Sequence, residues 1–176
     1  MALICLTAMA VAVSADVYSQ TPDTTVFKYE TKARQKQFDE FFEKFPPEKM
    51  EGAVRVFVES RFVLKGDSTR VKFAFNPARV YSISLETAGV APREDIKKGR
   101  WTAVVKPVRS GYLKVVTRLD GGNTSMGSPI IIVLEPDEYK EVRAKADEFE
   151  AKGDLKGFNE YFNSKYSKYI RALPMF

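Results

Sequence analysis

The sequence contains no histidine, and its one cysteine, Cys5, lies near the amino terminus. Histidine is the usual general base near neutral pH and the commonest metal ligand, so its absence excludes Ser-His-Asp triads, Cys-His pairs and histidine zinc sites. The acid pairs Glu94-Asp95 and Asp137-Glu138 are adjacent in sequence, which is typical of solvated surface rather than of a catalytic cleft. We therefore predict no cofactor, no metal site and no catalytic residue.

Residues 1–19 have the character of an export signal. The apolar run 2–13 is as long as a signal-peptide core and too short to cross about 30 Å of hydrocarbon as a helix. Cleavage is expected after Ala15 or after Ser19. No Lys or Arg precedes the run, so either the leader is weak or the true start codon lies upstream. We expect an exported, periplasmic or extracellular protein with no transmembrane helix in its mature chain. Because Cys5 belongs to the leader, that chain has no intrachain disulfide.

Between residues 53 and 135, apolar side chains recur at every second position, which is the period of β-strands. In the first run, Val54, Val56 and Val58 alternate with other residues. Clusters of Gly, Pro, Asn, Asp and Ser separate the runs and indicate turns. Six or seven short strands at this spacing predict an antiparallel sandwich. The later runs are 71–75, 81–85, 101–105, 112–119 and 130–134.

Two segments resemble a known family. The stretch 68–83, an aromatic-bearing strand followed by a short turn and a second alternating strand, resembles the central strands of bacterial immunoglobulin-like domains. The segment 105–115 resembles their entry to the penultimate strand, with Tyr112 placed as in a tyrosine corner. The turn at 120–123 falls where that family enters its last strand. The resemblance covers about half of the mature chain and implies an immunoglobulin-like β-sandwich, but no ligand.

Aromatic residues form stripes on helices predicted at both ends of the strand region. A helix over 32–45 carries four phenylalanines and ends at Pro46. A second helix begins at Pro136, and Asp154 caps a third that carries the other stripe. Either both stripes pack on the sandwich or on each other, or one of them docks a partner. The stripe residues are Phe38, Phe41, Phe42 and Phe45 in the first helix and Leu155, Phe158, Phe162, Tyr166 and Tyr169 in the third.

These patterns together predict one domain that is mainly β. Its centre is an immunoglobulin-like antiparallel β-sandwich, with a helix before it and a helical pair after it. The predicted division is a signal peptide over 1–19, a polar tether and aromatic helix over 20–52, the sandwich over 53–135 and a helical hairpin over 136–176.

Positive charge is concentrated in the strand region. Residues 55–118 hold fourteen Lys or Arg against five Asp or Glu, whereas residues 137–171 are balanced. A summed field of this sign favours encounters with anions. The densest local patch combines cations with an aromatic ring, as anion and sugar sites do. An exposed, charged loop with its tryptophan in the core is the other interpretation, and the one we favour. The patch residues are Arg93, Lys97, Lys98, Arg100 and Trp101.

The sequence thus predicts an exported accessory module, periplasmic or at the cell surface, that binds an anionic glycan or a protein partner of the envelope. No nucleic-acid motif is present, so no nucleic-acid partner is expected. The alternative is a small carboxylate-dependent enzyme acting on glycans, which would need two carboxylates converging in a cleft. The oligomeric state is left open.

Overall fold

The structure is a computed structural model, and it describes residues 29–50, 54–85, 87–113, 115–119, 124–127 and 131–170. The predicted leader, the tether up to residue 28 and the predicted turn at 120–123 lie outside the described residues. The described part contains helices at both ends of the chain and a strand region between them.

Helices occupy the two ends of the described chain and one interior loop. The predicted helix over 32–45 is broken at Glu40, where the backbone leaves helical geometry with φ −82° and ψ 0°. The helix predicted to begin at Pro136 does so, and the Asp154 carboxylate accepts a hydrogen bond from the Gly157 N–H as the predicted cap. In chain order the helices are α1 (Lys32–Asp39), α2 (Phe41–Lys44), α3 (Arg93–Lys98), α4 (Pro136–Ala151), α5 (Leu155–Lys165) and α6 (Ser167–Ile170).

The strands form three small sheets. The first sheet has the order β1-β3-β6 and is antiparallel, the second has the order β2-β10-β7, and the third has the order β5-β4-β8-β9. The strands are β1 (Val54–Val58), β2 (Phe62–Leu64), β3 (Thr69–Phe75), β4 (Val80–Leu85), β5 (Gly89–Val90), β6 (Arg100–Val105), β7 (Gly111–Tyr112), β8 (Val115–Leu119), β9 (Thr124–Gly127) and β10 (Ile132–Leu134).

Several predicted strands are confirmed, and one is divided. Burial alternates along β6, where Trp101 and Ala103 are buried while Arg100 and Thr102 are exposed. The single strand predicted over 112–119 is instead two strands. Its first part, β7, pairs with β10 in the second sheet, and its second part, β8, pairs with β4 and β9 in the third. The chain therefore passes from one sheet to another within this segment.

The second sheet is buried on both of its faces. Along β10, Ile132 and Leu134 belong to the apolar core that Phe158 and Phe162 of α5 complete. Val133, which points the opposite way, belongs to the core shared with the first and third sheets. A strand buried on both faces is apolar throughout, which explains the continuous apolar run at this point in the sequence.

The predicted fold class, a mainly β, immunoglobulin-like antiparallel sandwich, is wrong. In the described part, more residues lie in helices than in strands, and the strands form three small sheets rather than two facing ones. β10 pairs with β2 in parallel, which an antiparallel sandwich excludes. The physical reason is that α5 covers one face of the second sheet, so the helices are part of the core. Tyr112, expected at a sandwich corner, packs against Tyr169 of α6 with ring centres 6.0 Å apart.

Candidate functional site

The four predicted ligand cations lie on α3 and at the start of β6. Gly99 ends α3 in the left-handed conformation, with φ 66°, and a Cβ there would lie 2.5 Å from the Phe75 carbonyl oxygen, so glycine is required. The Lys97 ammonium donates to the Glu94 carboxylate at 2.9 Å, which offsets part of the local charge. The four cations, all exposed, are Arg93, Lys97, Lys98 and Arg100.

Trp101, the aromatic member of the predicted patch, lies in the core. Its side chain is 5% exposed, and its ring stacks on Phe73 with centres 5.0 Å apart and planes 21° apart. Successive side chains of a strand point to opposite faces of the sheet. Because Arg100 points to the exposed face, Trp101 points into the core. The predicted combination of a cationic rim with an exposed tryptophan face is therefore not what the structure brings together.

Part of the basic strand surface is covered by the aromatic side chains of α1 and α2. The Lys72 ammonium lies 4.4 Å from the centre of the Phe38 ring and 5.1 Å from that of Phe42. The guanidinium of Arg70 lies 5.1 Å from the Phe38 ring, and that of Arg100 lies 5.5 Å from the Phe42 ring. These are distances at which a cation is attracted to an aromatic face. Phe38 and Phe42 of the N-terminal aromatic stripe thus pack on cations of the basic strand region.

The buried carboxylates of this region are bound by arginines. Glu59 is fully buried and accepts from the Arg70 guanidinium and from the Arg70 main-chain N–H, each at 2.9 Å. Glu30 accepts from the Arg61 guanidinium at 2.6 Å and from its main-chain N–H at 3.0 Å. Burial lowers the pKa of Arg34 to about 10, although the nearby Glu30 opposes this shift. Such paired, buried charges fit a structural role.

An open groove of about 1070 Å³ lies beside the second and third sheets. Its walls are the end of the β4–β5 hairpin, residues 107–113 and the ring of Tyr169. Two valines project into solvent here, Val90 with 65% and Val108 with 69% of their surface exposed. Among the described lining residues, Arg109 carries the only charge. We call this surface the valine groove, and its apolar exposure makes it the strongest candidate site.

Hydrogen bonds fix the loop that forms one wall of the valine groove. The Gly66 N–H donates to the Pro107 carbonyl oxygen at 2.8 Å. The Ser110 hydroxyl donates to the Glu135 carboxylate, which also accepts from the Lys65 ammonium at 2.6 Å. The hydrogen bonds from Lys65 and Ser110 hold the pKa of Glu135 below its ordinary value. These hydrogen bonds therefore hold the loop that carries the exposed Val108 in one position.

A second, smaller cleft of about 470 Å³ lies where the start of α1 meets α4. The Glu150 carboxylate accepts from the Lys32 main-chain N–H at 2.7 Å, so it caps the amino end of α1. Arg143 donates to the Tyr29 carbonyl oxygen at 2.6 Å. Glu150 and Arg143 thus bind the protein's own main chain, so this cleft joins the N-terminal segment to α4.

The described residues contain no group of three or more His, Cys, Asp or Glu side chains placed to hold a metal ion. None of the helices in the same part of the chain combines the length and the apolar character needed to span a bilayer.

No family model, curated protein or solved structure matches the chain. The resemblance to bacterial immunoglobulin-like domains therefore has no relative that tests it and stays a sequence-based prediction, although the sandwich that it implies is contradicted. The candidate site rests on the geometry and chemistry of this chain alone.

Sequence reasoning missed the valine groove. The segments between the predicted strands, 86–100 and 106–111, are interpreted as turns, so neither receives an exposed apolar role. The available signal was Val108, an apolar residue inside a turn where polar residues are usual. The opposite wall of the groove contains Val90. It could not be predicted in the same way, because Val90 lies beside this turn only in the folded chain.

Proposed function

We propose that this protein is an exported, non-catalytic module of the cell envelope that binds a protein partner in the valine groove. The observation that carries the proposal is the exposure of Val90 and Val108 in one concave surface. Each apolar Å² removed from water contributes about 25 cal/mol to association, so such a surface favours a partner that covers it. Binding sites are usually concave surfaces lined by apolar side chains, as this groove is.

A protein partner fits the surface better than the anionic glycan that the sequence also allows. Sugar binding at the predicted patch would use the face of Trp101, which is buried against Phe73. Lys97 is engaged by Glu94, and Arg100 lies over the Phe42 ring. What is left at α3 is a diffuse positive surface rather than a shaped site.

The alternative of a carboxylate-dependent enzyme lacks support among the described residues. Glu30 and Glu59 are the buried carboxylates there, and each is bound by an arginine side chain and a main-chain N–H. A general acid needs access to substrate, and both carboxylates are buried and occupied by these contacts. The alternative stays a prediction from the sequence.

Variant-dependent capture from the envelope of the source cell tests the proposed function. The bait is the full mature chain, compared with Val108→Glu in the groove and with Val104→Glu on β6, an exposed valine outside the groove. We expect at least one envelope protein to be retained by the parent chain and by Val104→Glu but lost from Val108→Glu. Captured proteins that respond equally to both variants, or are retained by both, would contradict the groove as the binding surface. Retention of polysaccharide alone would favour the glycan.

The proposed export is tested by the amino terminus of the protein in its own cell. We expect intact-mass measurement to show a chain that begins at Asp16 or Gln20, because cleavage is predicted after Ala15 or Ser19. A chain that retains Met1 and stays in the cytoplasm would contradict the export proposal without affecting the groove.

A further inference from the structure

We propose that the valine groove binds an extended, acidic segment of its partner, which pairs with β7 as an added β-strand. This inference rests on the proposed function and specifies the partner's conformation and charge. It follows from the direction of main-chain groups at the two strand edges that border the groove.

Among the described residues, no strand pairs with the outer edge of β7. The Ile132 N–H donates to the Arg61 carbonyl oxygen at 2.7 Å, so the polar groups of Ile132 face β2. Tyr112 lies directly opposite Ile132 in the antiparallel pair. In an antiparallel sheet, two residues directly opposite each other point their N–H and C=O groups either toward each other or away from each other. Tyr112 therefore directs its N–H and C=O away from β10, and β7 is the last strand of its sheet in the described part.

The second edge, on β5, has the same property. The Ala91 N–H donates to the Ile83 carbonyl oxygen at 2.8 Å, which makes Ala91 and Ile83 a hydrogen-bonded pair. Pairs alternate along an antiparallel ladder, so Val90, opposite Ser84, directs its main-chain groups away from β4. Natural proteins usually block such edges with charge, proline or a covering segment, whereas edges used for recognition are left open.

The open groove lies against both edges. Gly89 and Val90 of β5 and Gly111 and Tyr112 of β7 are among its lining residues. Val90 and Val108 flank this space and provide apolar contacts for side chains on one face of an added strand. A helix would leave the main-chain groups of Tyr112 and Val90 without partners.

The charge around the groove favours an acidic segment. Arg109 is exposed in the groove wall, and the Lys168 ammonium lies 4.8 Å from the ring of Tyr169, which lines the groove. The neighbouring carboxylate of Glu135 is held by Lys65 and Ser110. A positive site attracts a segment that carries Asp or Glu, and it does so less strongly as salt is raised.

Selection from a displayed library of random octapeptides tests the inference on the full mature chain. We expect enriched sequences to alternate apolar and polar residues and to contain an acidic residue. The best peptide should bind Val108→Glu at least about tenfold more weakly and Val104→Glu within about twofold of the parent chain, since only the first variant places charge in the groove. Arg109→Glu should weaken binding, Lys106→Glu should not, and an Asp-to-Lys change in the peptide should restore binding to Arg109→Glu.

N-methylation of the peptide, one residue at a time, tests the strand geometry. We expect a loss of about tenfold or more at the one peptide residue whose N–H bonds to the Tyr112 carbonyl oxygen, because Tyr112 is the residue of β7 that directs its main-chain groups outward. Peptides that bind through Val108 but tolerate every N-methyl group, or repeat their apolar residues with a helical period, would overturn the inference and leave the proposed function standing. Binding that ignores Val108→Glu would overturn both. If selection on the parent chain enriches only the peptides that selection on Val108→Glu also enriches, the inference is overturned.

Discussion

The ammonium of Lys72 lies 4.4 Å from the centre of the Phe38 ring and donates a hydrogen bond to the Phe38 carbonyl oxygen at 2.6 Å. One residue near the end of α1 thus provides both a ring and a carbonyl for a cation of β3. Burial lowers the pKa of Lys72, and the nearby Asp39 opposes that shift. This contact explains how a strongly basic strand region and an aromatic helix, which looked like separate surfaces in the sequence, form one packed unit.

Replacing Phe38 should uncouple α1 from the first sheet. Its side chain is almost fully buried, and truncating a buried phenylalanine commonly costs about 3 to 5 kcal/mol. We therefore expect Phe38→Ala to lower the free energy of unfolding, measured by chemical denaturation, by about 3 kcal/mol or more. Phe42→Ala, which removes a half-buried ring from the same cations, should cost less. A loss below about 0.5 kcal/mol for Phe38→Ala, the range of surface positions, would contradict the packing.

Glu59→Gln should be among the most destabilising polar substitutions. It leaves the Arg70 guanidinium without its carboxylate, and losing one partner of a buried pair typically costs about 3 to 5 kcal/mol. Because Arg70 is partly exposed, we expect a loss of about 2 kcal/mol or more in denaturation. The matched control is Glu135→Gln at the exposed Lys65 pair, which should cost clearly less because solvent screens that pair. Equal effects in the two variants would contradict the role assigned to burial.

Protonation of Glu148 at low pH should destabilise the carboxyl-terminal end of α4. Hydrogen bonds from Lys145 and Lys152 lower the pKa of Glu148 from 4.5 to about 2. The pKa of Glu148 is lower in the folded than in the unfolded chain. The stabilisation of the fold by these two hydrogen bonds is therefore complete above about pH 4.5 and is lost as the pH falls through about 2. Carboxyl-carbon NMR titration should show this low pKa at low salt and a rise toward 4.5 in high salt, because both partners are exposed. An ordinary, salt-independent value would contradict the two hydrogen bonds.

The cations of α3 should behave as general surface charge. We expect the triple variant Lys97→Gln, Lys98→Gln, Arg100→Gln to elute earlier from an acidic polysaccharide column by the same salt increment as a control triple variant. The control, Lys36→Gln, Lys106→Gln, Lys140→Gln, also removes one lysine paired within a helix. Charges this exposed are screened over about 8 Å, so position should matter little. A much larger loss at α3 would establish the predicted anion site after all.

The sequence predicts the strands better than their arrangement. Period-two patterns locate β1, β3, β4 and β6, and burial alternates fully along β6. In β1 the predicted alternation is broken because Val56 is exposed, and in β4 an irregularity between Val80 and Ser82 leaves Tyr81 exposed. The parallel pairing of β10 with β2 could not be predicted in this way, because pairing depends on contacts between residues distant in sequence. The aromatic stripe of α5 showed that a face would be buried, but not that it would cover the second sheet.

The candidate site was harder to predict than the fold. Charge counts pointed to α3 and Trp101, yet β6 alternation turns Trp101 into the core. The valine groove is made by a hairpin end, a loop and a helix that meet only in the folded chain, and its main-chain groups have no signature in side-chain sequence. Val108 alone carried a local signal.

Amide hydrogen exchange at Tyr112 tests the central claim, an open β7 edge in the valine groove, most directly. We predict that the Tyr112 amide of the free mature chain exchanges about 100-fold faster than that of Ile132, whose N–H is buried and bonded to Arg61. Saturation with the best selected peptide should slow Tyr112 exchange about tenfold or more while leaving Ile132 unchanged. A Tyr112 amide that is already protected in the free chain, or that exchanges at the same rate when the peptide is bound, would contradict the account.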